Sequence, residues 1–203
     1  VHDPNSEDQY DEFMGITSGI DDDIPIRWVP GNHDIADDTV VPTPKSLAAY
    51  RDAFGDDYYG FDHGPVRFIA LNTVVIDHPE RVPGEWEAQL EFLVEELAEA
   101  ARRERRVVLL GHHPLFLRHA DEEDDYWNLP TERRRIILDL MHEHRVPLAL
   151  AGHWHRNSLA RDGDFEMVTT SAVGYPLGSD PSGFRVVEVD GGTISHAYHS
   201  LDD

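Results

Sequence analysis

The sequence predicts an α/β fold carried by one domain spanning residues 1–203. Three observations predict it: apolar runs of strand length, such as Val107-Val108-Leu109-Leu110, alternate with segments of helical period; a tail of short alternating strands follows; and 203 residues suffice for one sizeable core. There is no internal repeat, no low-complexity tract and no linker-like composition to divide it.

The elements follow in order. Ser6 with Gln9 forms a capping-box pattern, and Tyr10, Phe13 and Met14 give the apolar stripe of a first short helix. Residues 25–30 (PIRWVP) read as a short strand that stops at Gly31-Asn32-His33-Asp34. A helix is expected over 46–54, closed by Gly55, followed by strands 58–63 and 66–72 around a Gly64-Pro65 turn. Trp86, Leu90, Leu93, Val94 and Leu97 recur at helical spacing in a segment running to about Arg103. The cluster Arg102, Arg103, Arg105 and Arg106 closes that helix at its electronegative end and reads as a solvated face, as do Arg133, Arg134 and Arg135. Strand 107–110 then ends in Gly111-His112-His113-Pro114. Beyond an acidic loop at 121–125 comes a helix over about 132–144, with Ile136, Ile137, Leu140 and Met141 facing inward. Strand 146–150 ends in Gly152-His153-Trp154-His155, and residues 158–198 read as short strands, part of an antiparallel addition to the sheet.

Composition limits the chemistry. With no cysteine, disulfides and thiolate metal sites are excluded, so any metal site must use His, Asp, Glu, Asn or backbone oxygen. Forty acidic residues against 17 basic ones give a formal charge of −23, and Lys45 is the single lysine. Such a surface disfavours nucleic acid and anionic membranes as partners, and it reads as adaptation to a salt-rich, halophilic interior where screening tolerates self-repulsion. No run approaches the roughly 18 apolar residues of a membrane span. Val1-His2-Asp3-Pro4-Asn5 lacks the basic and apolar pattern of a secretory leader, so a cytoplasmic location is expected, and without Met at the start a native start further upstream is an expectation.

Three segments share one design: an apolar strand, a glycine that lets the backbone turn, then metal-capable side chains. They are Gly31-Asn32-His33-Asp34, Gly111-His112-His113 and Gly152-His153-Trp154-His155. In an open α/β sheet the functional crevice lies beyond the carboxyl ends of the strands, which would bring Asn32, His112, His153 and His155 together. In a locally extended chain, His153 and His155 would point to one side and Trp154 to the other. Nitrogen and amide-oxygen donors suit manganese, iron or zinc. With 13 histidines, a single pair arises by chance, so His2, His63, His78, His119, His142, His144, His196 and His199 are read as ordinary packed or surface residues.

These blocks resemble the calcineurin-like metallophosphoesterase family, whose pattern runs D-x-H, G-D, G-N-H-D/E, H and G-H-x-H. Residues 31–34 match the third block, His112 the fourth and residues 152–155 the fifth, with weaker likeness at Phe68-Ile69-Ala70-Leu71-Asn72-Thr73 and over 182–189. The spacing is most similar to the branch containing cyclic-nucleotide phosphodiesterases. The resemblance implies a four-layer α/β/β/α sandwich with mixed sheets and a site for two divalent ions. Asn32, His112 and His153 would ligate the second metal and His155 the first. His33 would protonate the leaving oxygen, oriented by Asp34. The implied reaction is hydrolysis of a small phosphate ester, a phosphodiester such as a cyclic nucleotide above all, by a metal-bridging hydroxide.

The pattern also departs from the family: neither D-x-H nor G-D precedes residue 31. The reading is therefore of an N-terminally truncated domain lacking the first strand, helix and next strand, with His2 or Asp3 as unfavoured substitutes for the bridging aspartate and one metal or none retained. The alternative function is a catalytically impaired metal-binding or interaction protein on the same fold. A histidine-rich metal buffer, in which His2, His142 and His196 would matter as much as His153, is disfavoured.

Overall fold

A computed structural model describes residues 7–35 and 41–202. Ser6, the side chain of Tyr10, His2 and Asp3 named above lie outside the described residues or side chains.

A six-stranded mixed sheet organises the molecule, in the order β1-β2-β3-β4-β6-β5. Strands β1 (Tyr59–His63) and β2 (Val66–Ala70) form the expected hairpin at one edge, and β5 (Ser158–Asp162) and β6 (Phe165–Thr169) form another at the opposite edge. Between them β2, β3 (Arg106–Leu110), β4 (Leu148–Ala151) and β6 run parallel. Parallel neighbours need covering on both faces, and the side-chain alternation supplies two apolar faces. Ile69, Val107, Leu109, Ala149 and Met167 meet Trp86, Leu93 and Leu97 of helix α5 (Glu85–Arg102) and Ile137, Leu138 and Met141 of α6 (Thr131–Glu143). On the other face Val66, Phe68, Val108, Leu148 and Val168 meet Val189 and Ile194 of a separate antiparallel ribbon, β7 (Gly183–Asp190) with β8 (Thr193–Ser200). Helices, sheet and ribbon thus stack as α/β/β, and the fold is a mixed α/β one as the sequence predicts.

The short elements are locally specified. Helix α1 (Glu7–Thr17) packs Phe13 against Trp28, with ring centres 5.1 Å apart. In α3 (Pro44–Phe54) the Thr43 side chain accepts from Ser46 N–H while Ser46 Oγ accepts from Thr43 N–H, a reciprocal cap, and Gly55 ends the helix at φ 86°. Leu47 and Tyr50 join Ile35 of the single turn α2 (Asn32–Ile35) and Val74 and Val75 of α4 (Thr73–Asp77) in a small satellite core.

Four expectations are corrected. Residues 25–30 form no strand: Pro25 and Pro30 have no N–H to give a ladder, and the Trp28 carbonyl accepts instead from the Tyr59 hydroxyl at 2.7 Å. Residue 72 leaves the strand, because Asn72 caps α4 through its side chain. Val94 and Ile136 face outward, since each helix buries only one stripe. Arg134 is not on a solvated face but fully buried, whereas Arg102 and Arg103 pair with Glu99 on the surface as expected. No helix among the described residues is long and apolar enough to cross a membrane.

Candidate metal centre

The carboxyl ends of β2, β3 and β4 lie side by side, since Ala70 pairs with Leu110 and Leu110 with Leu150. The chain leaves each strand into a turn, and the turns are tied together. Thr73 Oγ1 accepts from the backbone N–H of both His112 (3.1 Å) and His113 (2.8 Å), and Gly152 N–H donates to the His112 carbonyl at 3.0 Å. Tying the backbone this way fixes where the imidazoles project.

The glycines act differently from the sequence expectation. None of Gly31, Gly111 and Gly152 has positive φ. At Gly31 a Cβ would sit 2.9 Å from the His112 ring, and at Gly111 it would sit 2.7 Å from Thr73 Cγ2, so two of them serve close approach. The left-handed turn is made instead by His153 and His155 themselves, at φ 59° and 52°. Their segment is therefore not extended, and alternation of side-chain direction does not apply there.

The structure brings the predicted donors together. His112 Nε2 lies 2.8 Å from Asn32 Oδ1 and 3.0 Å from His153 Nδ1. Donor atoms at right angles around an ion with bonds of about 2.1 Å are themselves about 3.0 Å apart, so this trio fits one divalent ion. His153 Nε2 faces the Tyr126 carbonyl at 2.9 Å. A carbonyl only accepts, so Nε2 carries the proton and Nδ1 keeps its lone pair for the cluster. Burial holds the His112 and His113 imidazoles well below the usual histidine range and lowers His153 to about 4, so all three are neutral at pH 7, the form that ligates metals.

His33, Asp34 and His155 line the same cleft, about 750 Å³ in volume. The Asp34 carboxylate accepts from Gly31 N–H at 2.8 Å and tightens the turn that presents Asn32. His155 donates from Nδ1 to the Tyr175 carbonyl at 2.7 Å.

Sequence reasoning missed several neighbours. His113 stands with His112 and His153 in a group whose ligand-capable atoms lie within 4.8 Å of one another, and its Nδ1 meets Thr73 Oγ1 at 3.2 Å. Tyr126 and Trp127, directly after the acidic loop, wall the cleft against His153, and Tyr175 closes another side. An aromatic pair following five acidic positions was the available signal. The loop at 121–125 thus shapes the cleft by delivering those two rings. Among histidines read as ordinary, His142 pairs with Asp162 at 2.8 Å and His119 with Asp121 at 3.0 Å, both away from the cluster.

Comparison with known proteins adds the following. A family model described as calcineurin-like phosphoesterase matches residues 2–157. Proteins named serine/threonine-protein phosphatase CPPED1 are 36% identical over 201 residues in Bos taurus and 36% over 198 residues in Homo sapiens, covering 98% and 97% of this chain. The same named protein of Danio rerio is 38% identical over 200 residues. The chain spans 62% to 64% of the length of these relatives, just under two thirds. Among solved structures, a dimetal phosphatase from Danio rerio aligns over 83% of this chain and 69% of its own at a TM-score of 0.55 and 18% identity. GAP50, the anchor in the inner membrane complex of Plasmodium, aligns over 71% of this chain and 50% of its own at 0.56 and 18%. At such identity the likeness is one of fold.

Proposed function

The chain belongs to the calcineurin-like phosphoesterase family, and from that premise we propose that it serves metal-dependent hydrolysis of phosphate esters, with phosphomonoesters as the first substrate class. The observation that carries this is the convergence of Asn32 Oδ1, His112 Nε2 and His153 Nδ1 at the floor of a cleft also lined by His33 and His155. The residues converging there would hold divalent ions, whose chemistry when bound would be charge neutralisation for the phosphoryl oxygens and activation of water. The protein's own groups do the rest. Asn32, His112 and His153 would hold one ion and His155 would contribute to a second. His33, half-buried on the cleft wall, donates a proton to the departing ester oxygen, and Asp34 fixes the turn from which His33 projects.

Relatives named as serine/threonine-protein phosphatases support a monoester substrate. A small phosphodiester such as a cyclic nucleotide is the second reading, supported by Tyr126, Trp127 and Tyr175, whose rings offer faces for a base. The alternative of a metal-holding interaction module rests on the donor trio itself, whose spacing suits one ion. One set of assays separates these readings: metal per chain by elemental analysis with manganese supplied, followed by turnover of a phosphoserine peptide, an aryl phosphodiester and a cyclic nucleotide. Turnover of the peptide alone supports the monoester reading. Turnover of the cyclic nucleotide alone supports the second. One bound metal with no turnover of any of them supports the module.

A further inference from the structure

The walls of the cleft contain a residue that touches two of the three converging donors. Tyr126 meets His153 through its backbone carbonyl, 2.9 Å from Nε2, and meets Asn32 through its hydroxyl, 3.2 Å from Nδ2. We propose that Tyr126 is a positioning residue for metal: its hydroxyl accepts from the Asn32 amide nitrogen and so turns Oδ1 toward His112 Nε2, while its carbonyl keeps His153 Nδ1 unprotonated. This rests on the metal-dependent reading above.

An asparagine amide presents an oxygen or a nitrogen to the same point depending on one half-turn, and only the oxygen can ligate. Asn32 is buried, so its Nδ2 needs an acceptor within the protein. The Tyr126 hydroxyl is that acceptor.

Tyr126 is itself held. Glu122 accepts from the N–H groups of Leu117 (2.7 Å) and Arg118 (2.9 Å) and from Asn128 Nδ2 (2.8 Å). Asn128 Oδ1 accepts from Asp125 N–H at 3.0 Å, and Leu129 N–H donates to the Pro114 carbonyl at 3.0 Å, one residue beyond His113. From α6 the buried Arg134 donates through Nη2 to the Glu122 carbonyl at 2.9 Å and pairs with Asp124 at 3.1 Å. The acidic loop is therefore a fastened block, and its fastening sets the reach of Tyr126. Outer partners of metal ligands typically affect affinity by about 10–100-fold.

The test is manganese affinity of the full chain, read by electron paramagnetic resonance of free Mn²⁺, for wild type, Tyr126→Phe, Asn32→Asp and the double variant. Tyr126→Phe is expected to weaken binding by about tenfold or more. Both oxygens of a carboxylate ligate, so in the Asn32→Asp background the same change is expected to cost no more than about threefold. Melting of the metal-free Tyr126→Phe protein should fall by no more than a few degrees, because the ring is 53% exposed and a single acceptor of Asn32 is lost. Equal affinities of wild type and Tyr126→Phe overturn the inference and leave the phosphoesterase reading intact. Equal losses in both backgrounds also overturn it, assigning the hydroxyl a purely structural role. A wild-type chain that binds no Mn²⁺ overturns both.

Discussion

His112 Nε2 and His153 Nδ1 stand 3.0 Å apart although β4 and the whole of α6 separate their strand ends in sequence. Two neutral imidazoles at that distance share at most one proton, and both would serve as ligands of a divalent ion held by the trio. His153→Ala should therefore reduce bound manganese per chain by at least an order of magnitude in affinity. Elemental analysis after equilibrium dialysis reads this directly, and unchanged metal content would remove the trio as a site.

His33 should separate chemistry from binding. Replacing it by Ala is expected to lower turnover of a phosphate ester by about 10²–10⁴-fold, the usual contribution of a positioned general acid. Metal content should stay at the wild-type level. A loss of metal equal to that of His153→Ala would make His33 a ligand instead.

The buried imidazoles give the metal-free fold a defined acid limb. Their protonation is disfavoured in the folded state, so as pH falls below about 6.5 the unfolded chain takes up protons first. Stability should be at its plateau above that pH and decline toward the folded value of about 4 for His153. Each such histidine contributes a slope of at most about 1.4 kcal/mol per pH unit in that window. Urea midpoints measured with chelator between pH 7 and 4.5 test it, and His153→Gln should flatten the slope.

Arg134 lends itself to a two-substitution comparison. Its Nη2 serves the Glu122 carbonyl, Thr131 and Asp124, while Nε and Nη1 are buried without a hydrogen-bond partner among the described residues. Arg134→Ala leaves a cavity and strips the loop of its anchor, at a cost of about 3 kcal/mol or more. Arg134→Met keeps the volume and sheds the unpaired nitrogens, so it should cost clearly less. Denaturant unfolding decides, and the opposite ranking would show that the guanidinium charge itself carries the stability.

A formal charge of −23 with one lysine predicts a strong response to salt. Transfer from dilute buffer to molar potassium chloride should raise the melting temperature by several degrees as self-repulsion is screened. A flat response would end the salt-adaptation reading.

What was legible in the sequence was periodicity and strand-end motif. The helices α3, α5 and α6 and the hairpin β1–β2 follow from local patterns, and the donor trio follows from three glycine-led blocks, two of which stand at strand ends. What was not legible depends on partners distant in the chain. Residues 25–30 carry strand propensity but no available ladder, and Arg134 looks like any surface arginine until the acidic loop folds over it. Tyr126 and Thr73 escaped because neither belongs to a metal-binding residue type. Their importance arises from a carbonyl, a hydroxyl and the two backbone amides that happen to lie within reach.

The strand order has a consequence in time. Each sheet edge is a hairpin closed by a short turn, which forms with little loop-closure entropy, whereas the pairings of β2 with β3 and β3 with β4 each enclose a complete helix. Asn32, His112 and His153 become neighbours only once those central registers lock. In refolding, manganese uptake should thus report the final cooperative phase rather than an early one, making the ion a seal on the finished sheet and not a nucleus for it.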